Sequence, residues 1–151
     1  MKPVDTRLAH LSQVAAIMQR APSPELAGGV ERQIGKAAGL TQFGVNHVTL
    51  GPCTATSRRH WHETEDEFVF VLSGTVTLID ENGEHLLGPG AFAGFPAGAP
   101  NAHHLVNRSS ATAELMVVGL RKVGEERIHY PDQADPGPFS ILRDANGDRV
   151  S

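Results

Sequence analysis

From Phe43 to Leu120 the chain is a succession of short apolar runs, each closed within a few residues by glycine, proline or asparagine. Phe43, Val45, His47 and Thr49 alternate with Gly44, Asn46, Val48 and Leu50 until Gly51-Pro52 breaks the run. The near-continuous Phe68–Ser73 follows and turns at Gly74; Thr75–Ile79 leads into the Asn82-Gly83 hairpin signal, and Glu84–Leu87 runs to Gly88-Pro89-Gly90. The segments Ala91–Phe95 and Thr112–Leu120 complete the series. Alternation with a period of two puts every second side chain on one face, which is the mark of a strand. Turn signals at this density leave no room for helices and imply an antiparallel sandwich or barrel. The fold class expected is therefore all-β.

At 151 residues the chain is read as one domain, long enough to bury a core without disulfides or a structural metal. Any metal would then serve function. Thirteen basic against seventeen acidic side chains give a net charge of −4, with basic residues only in short pairs such as Arg58-Arg59 and Arg121-Lys122. Such a balance argues against nucleic acid or an anionic membrane as partner. The single cysteine, Cys53, excludes an internal disulfide and fits a reducing compartment. No signal-like segment or long apolar span is read in the sequence, so the expected location is cytoplasmic.

Three regions are expected: an N-terminal arm over residues 1–32, a barrel over 33–121 and a tail over 122–151 packing on the barrel. Within the arm, Leu8, Leu11, Val14, Ala15, Ile17 and Met18 have tolerable helical spacing over Leu8–Arg20, ended by Pro22 and Pro24. An extended arm wrapping the domain is the other reading. In the tail, Ile128, Tyr130, Phe139, Ile141 and Leu142 offer apolar anchors, and a hairpin-like RDANGDR segment closes the chain.

Chemistry concentrates in His60–Gly74, HWHETEDEFVFVLSG. On a strand His60 and His62 share a face, and Glu67 re-enters after a polar bend. Two imidazoles and a carboxylate suit a divalent first-row metal. A further ligand is expected from Asn101-Ala-His103-His104, where extended backbone sends the two histidines to opposite faces, so that one alone enters the site. Glu63, Glu65 and Asp66 read as a solvated bend, with Glu65 or Asp66 available to accept an imidazole N–H. Trp61 faces away by parity and packs. His47 has no ligand partner at i+2 and reads as a surface or hydrogen-bonded residue, and no nucleophilic role is expected of Cys53.

Taken together, His60, His62, Glu67 and Gly74 resemble the first motif of the cupins, G(x)5HxH(x)3–4E(x)6G, from the first histidine onward, its leading glycine being absent at the expected place, and Gly90, Pro96, Gly98, His103 and Asn107 resemble the second, G(x)5PxG(x)2H(x)3N. The second motif carries two extra residues between Gly98 and the histidine, so Asn101 stands where the histidine usually falls, while the spacing to Asn107 selects His103. The resemblance implies a double-stranded β-helix, the jelly-roll barrel, with His60, His62, Glu67 and His103 as ligands of a divalent ion such as Zn, Ni, Mn or Fe. Small bacterial cupins of this texture are often labelled only as cupin-domain proteins or as sugar-phosphate isomerases. The functions implied are metal-dependent isomerisation of a sugar phosphate or hydroxy-carbonyl compound, or dioxygenation. The alternative is a non-catalytic small-ligand sensor. For a phosphate, Arg58, Arg59, Arg108 and Arg121 are candidates, and exposed barrel edges imply a homodimer.

Overall fold

The computed structural model describes residues 7–19, 23, 25–133 and 138–150. In chain order the strands begin with β1 (Ile17–Met18), β2 (Ala27–Gly28), β3 (Val30–Arg32), β4 (Phe43–Leu50) and β5 (Thr54–Ala55). They continue with β6 (Trp61–His62), β7 (Glu67–Ser73), β8 (Val76–Asp80), β9 (Gly83–Leu87) and β10 (Phe92–Phe95). Last come β11 (His104–Asn107), β12 (Ala113–Leu120), β13 (Gly124–His129) and β14 (Phe139–Arg143). One short helix, α1 (Ile34–Ala37), lies between β3 and β4, where the sequence reads as a small-residue turn.

A six-stranded sheet in the order β1-β3-β4-β12-β7-β10 faces a five-stranded sheet in the order β2-β5-β11-β8-β9. Together they form the double-stranded β-helix. Apart from β2 against β5, the paired strands run antiparallel. The core fills the space between the sheets: Val48, Leu50, Val69, Val71 and Leu115 come from the first, Val76, Leu78 and Leu105 from the second. Each projects inward because strand parity and the register of β12 against β4 and β7 align the apolar positions. Gly74 makes the turn after β7 with φ +73°; a Cβ there would lie 2.7 Å from Ala113 Cα. Only glycine fits that left-handed position and close approach.

The helix expected over Leu8–Arg20 is not formed. A 3-10 turn spans Leu11–Gln13, capped by His10, and Ile17 and Met18 pair with Glu31 and Val30 of β3. Leu8 and Met18 are exposed, so a helix here would have no apolar face to bury, and burial is what stabilises short helices. The extended alternative describes Ile17–Met18; Arg20, Pro22 and Pro24 lie outside the described residues. Among the described residues no helix is long and apolar enough to cross a membrane.

A third sheet, in the order β14-β13-β6, carries the chain after the barrel back to the histidine strand. Ile128 pairs with His62 and His129 with Trp61. The tail is thus more than an apolar cover. It is hydrogen-bonded to the segment that bears the first two histidines.

Truncation of Leu115, which is fully buried, is expected to cost about 2–5 kcal/mol as Leu115→Ala. The same change at Leu86, 77% exposed, should stay within about 0.5 kcal/mol. Urea unfolding monitored by circular dichroism measures both.

Candidate metal centre

His60 and His103 face each other as an antiparallel bridge, each N–H donating to the other's carbonyl at 3.2 and 3.0 Å. His62 lies in β6, and its carbonyl accepts the Gly98 N–H at 2.9 Å, which joins the two motif loops. Glu67 opens β7, fixed between Phe95 and Gly119 on either side. These pairings bring His103 to the same point inside the barrel as His60, His62 and Glu67, some forty residues earlier in the sequence.

All three imidazoles turn Nε2 toward the Glu67 carboxylate. The distances are 3.7 Å for His60, 3.3 Å for His62 and 3.2 Å for His103. The ligand atoms of His60, His62 and Glu67 all lie within 4.8 Å of one another. The opposite ring nitrogens are anchored: His60 Nδ1 lies 2.7 Å from the Arg58 carbonyl and His103 Nδ1 2.9 Å from the Asn101 carbonyl. A carbonyl only accepts, so each Nδ1 carries the hydrogen and Nε2 is left to face the centre. His103 is additionally clamped by Phe95, stacked at 3.4 Å between ring centroids. Three Nε2 atoms, two of them on rings anchored from behind, and a carboxylate, nearly enclosed by protein, form an N/O donor set that fits a divalent first-row ion.

Burial by itself would push the Glu67 carboxyl up, but hydrogen bonds with His103, His60 and His62 outweigh it and hold it well below the usual carboxylate range. The carboxylate is ionised at neutral pH. Burial likewise works against a charged His62, yet Glu67 and Glu126 prevail and raise it.

His104 points the other way, its Nδ1 2.9 Å from the Ser57 carbonyl. Asn101 does not face the centre either. Its side-chain oxygen accepts the Glu81 N–H at 3.0 Å while its backbone carbonyl orients His103, so the two extra residues brace the histidine. Asn107 is structural: its amide donates to the Leu50 and Ala111 carbonyls, both at 2.8 Å. His47 is buried away from the centre, 3.4 Å from Glu114, and Cys53 lies exposed in a left-handed turn. Trp61 packs, stacked on His129 at 4.1 Å.

The bend is solvated only in part: Asp66 is exposed as expected, Glu63 is half-buried and Glu65 is buried. Glu63 meets His129 at 2.7 Å, Glu65 receives Arg143 at 2.6 and 3.0 Å and the Lys122 N–H at 3.1 Å, and Asp66 accepts the Ala97 N–H at 2.7 Å. These carboxylates are engaged by the protein, and neither Glu65 nor Asp66 reaches an imidazole of the centre. Sequence reasoning also missed Glu126 on β13. It is fully buried, bonded to the Thr64 N–H and hydroxyl, and 3.4 Å from His62 Nδ1. The signal was an acid alternating with Ile128 on a strand with one buried face.

Replacing His103 with alanine is expected to abolish stoichiometric metal in the purified protein, and His104→Ala to leave it intact. Plasma emission analysis after exhaustive dialysis reads both, and the reverse pattern would reassign the ligand.

Comparison with known proteins agrees with this architecture. Residues 46–119 match the family described as Cupin domain. The chain is similar to a sugar phosphate isomerase from a cupin superfamily of Silicibacter pomeroyi, with 38% identity, TM-score 0.78, and coverage of 91% of this chain and 87% of that one. It is also similar to a candidate sugar phosphate isomerase from Acidithiobacillus ferrooxidans, at 27% identity and TM-score 0.74, covering 98% and 92% of the two chains. The polyketide cyclase RemF from Streptomyces resistomycificus is 26% identical, with TM-score 0.61 and coverage of 75% and 78%. A search among curated proteins finds no match. By both its motif-bearing barrel and its likeness along nearly the whole chain, the protein belongs to the cupin superfamily.

Proposed function

We propose that this cupin is a metal-dependent isomerase acting on a sugar phosphate or a related hydroxy-carbonyl compound. The observation that carries the reading is the convergence of three imidazoles on one ionised carboxylate, in a chain 91% of which resembles a protein named sugar phosphate isomerase. His60, His62, Glu67 and His103 would hold the ion. Bound there, a divalent metal supplies Lewis-acid polarisation of a substrate carbonyl. The protein contributes orientation: the Arg58 and Asn101 carbonyls fix two rings, and Phe95 keeps water from one side of His103.

The substrate's anionic group needs a cation, and ion pairing sorts the four arginine candidates. Arg59 is engaged by Glu81 and Asp132, Arg108 by Glu84 and Arg121 by Asp148. Arg58 is exposed and has no ion-pair partner among the described residues. It lines a cavity of about 310 Å³ with His104 and Tyr130, whose ring lies 5.8 Å from that of His60. Burial pushes the Tyr130 phenol up, which favours its protonated form.

Proton NMR in deuterated water, on protein stripped of metal and reloaded with Mn, Fe, Ni or Zn, tests the reading across triose to hexose phosphates. Interconversion that depends on metal and is lost in His62→Ala is expected. Metal binding without turnover on any of them would instead indicate a ligand-binding cupin, and consumption of dioxygen an oxygenase.

We also propose a homodimer. Phe43, Phe68, Phe92 and Leu120 are exposed on the outer face of the six-stranded sheet, where Phe68 and Phe92 stack at 5.8 Å. Contiguous apolar surface of this kind marks an interaction site. Light scattering is expected to give twice the chain mass for the wild type and the single mass for Phe68→Glu/Phe92→Glu; a monomeric wild type contradicts the proposal.

A further inference from the structure

We infer that Glu126, on the tail strand β13, is a positioning residue of the metal centre that takes the Nδ1–H of His62. The inference rests on the metal-binding reading of the centre. Two of the three histidines have Nδ1 fixed by backbone carbonyls, those of Arg58 and Asn101. The third does not. His62 Nδ1 is buried and has no hydrogen-bond partner, and the polar group facing it is Glu126 Oε1 at 3.4 Å, a few tenths of an ångström beyond a good hydrogen bond.

Glu126 itself is fully buried. Its Oε2 receives the hydroxyl of Thr64 and, at 3.2 Å, the Thr64 backbone N–H, which reaches Oε1 only at 3.5 Å; Oε1 is directed at the imidazole. A buried carboxyl group is costly without matching hydrogen bonds. The Thr64 donors serve Oε2 foremost, and His62 is the group placed to satisfy Oε1. The backbone makes the placement reproducible: Ile128 pairs with His62, the Glu63 N–H donates to the Arg127 carbonyl at 3.0 Å, and strand parity puts Glu126 on the same inward face as Ile128. A carboxylate on the outer nitrogen of a metal-binding histidine fixes the ring and raises its basicity. The tail therefore completes the centre.

Zinc affinity measured by competition with a chromophoric chelator tests this, comparing wild type, Glu126→Gln and Glu125→Gln. Glu126→Gln is expected to weaken zinc binding about 10–100-fold with unchanged far-ultraviolet circular dichroism. Glu125→Gln, which removes the same charge from the exposed face of the same strand, where Glu125 meets Ser140 and Arg127, should keep the wild-type affinity. Unchanged affinity in Glu126→Gln, or equal weakening in Glu125→Gln, overturns the role of Glu126 while leaving the metal centre standing. A wild type that binds no zinc overturns both. Should Glu126→Gln not fold, nitrogen-15 NMR of the zinc-loaded wild type decides: a slowly exchanging, downfield His62 Nδ1–H supports the inference, and a metal-bound or freely exchanging Nδ1 overturns it.

Discussion

The bend between His62 and Glu67 is the constraint on which the rest depends. Two ligand-bearing strands must leave it at a fixed distance and angle, yet it is four residues of highly polar chain. The protein holds it by engaging its side chains one by one: Glu63 with His129, Thr64 with Glu126, Glu65 with Arg143, and Asp66 with the Ala97 amide. The first three partners come from the tail, the last from the loop after β10. The Glu65–Arg143 pair is largely buried, and breaking such a pair costs about 3–5 kcal/mol, because the remaining charge is left uncompensated. The bend is therefore rigid by electrostatics where a strand would be rigid by its ladder.

Seen from the centre outward, each imidazole is set by a different device. His60 and His103 lean on carbonyls of their own loops, with Phe95 stacked on the latter, while His62 faces a carboxylate brought by β13. The barrel core beneath is ordinary: valine and leucine from two sheets, in the register that alternation dictates. The core stabilises the barrel, and the polar contacts of the bend and tail set the geometry of the donors while adding to stability themselves.

The barrel was legible because alternation and turn residues are local signals. β4, β7, β8 and β9 fall within a residue or two of the segments read from the sequence. So was the grouping of His60, His62 and Glu67, since i, i+2 parity and a re-entrant strand are properties of one short stretch. What failed was non-local. Glu126 lies sixty-odd residues from Thr64, and nothing near it in sequence says that it is buried; likewise Arg143 and Glu65 meet only because β13 returns to β6. Acidic residues in a row read as solvated until their partners are known. The Leu8–Arg20 periodicity misled for a related reason: spacing fits a helix, but Ile17 and Met18 had an unpaired strand edge within reach.

A single centre built from three imidazoles and one carboxylate has its own signature in X-ray absorption at the metal edge of the loaded protein. The predicted spectrum has a first shell of nitrogen and oxygen at about 2.0–2.2 Å with the outer-shell scattering of three imidazoles. A sulfur scatterer, or outer-shell scattering from fewer than three imidazoles, rules that centre out.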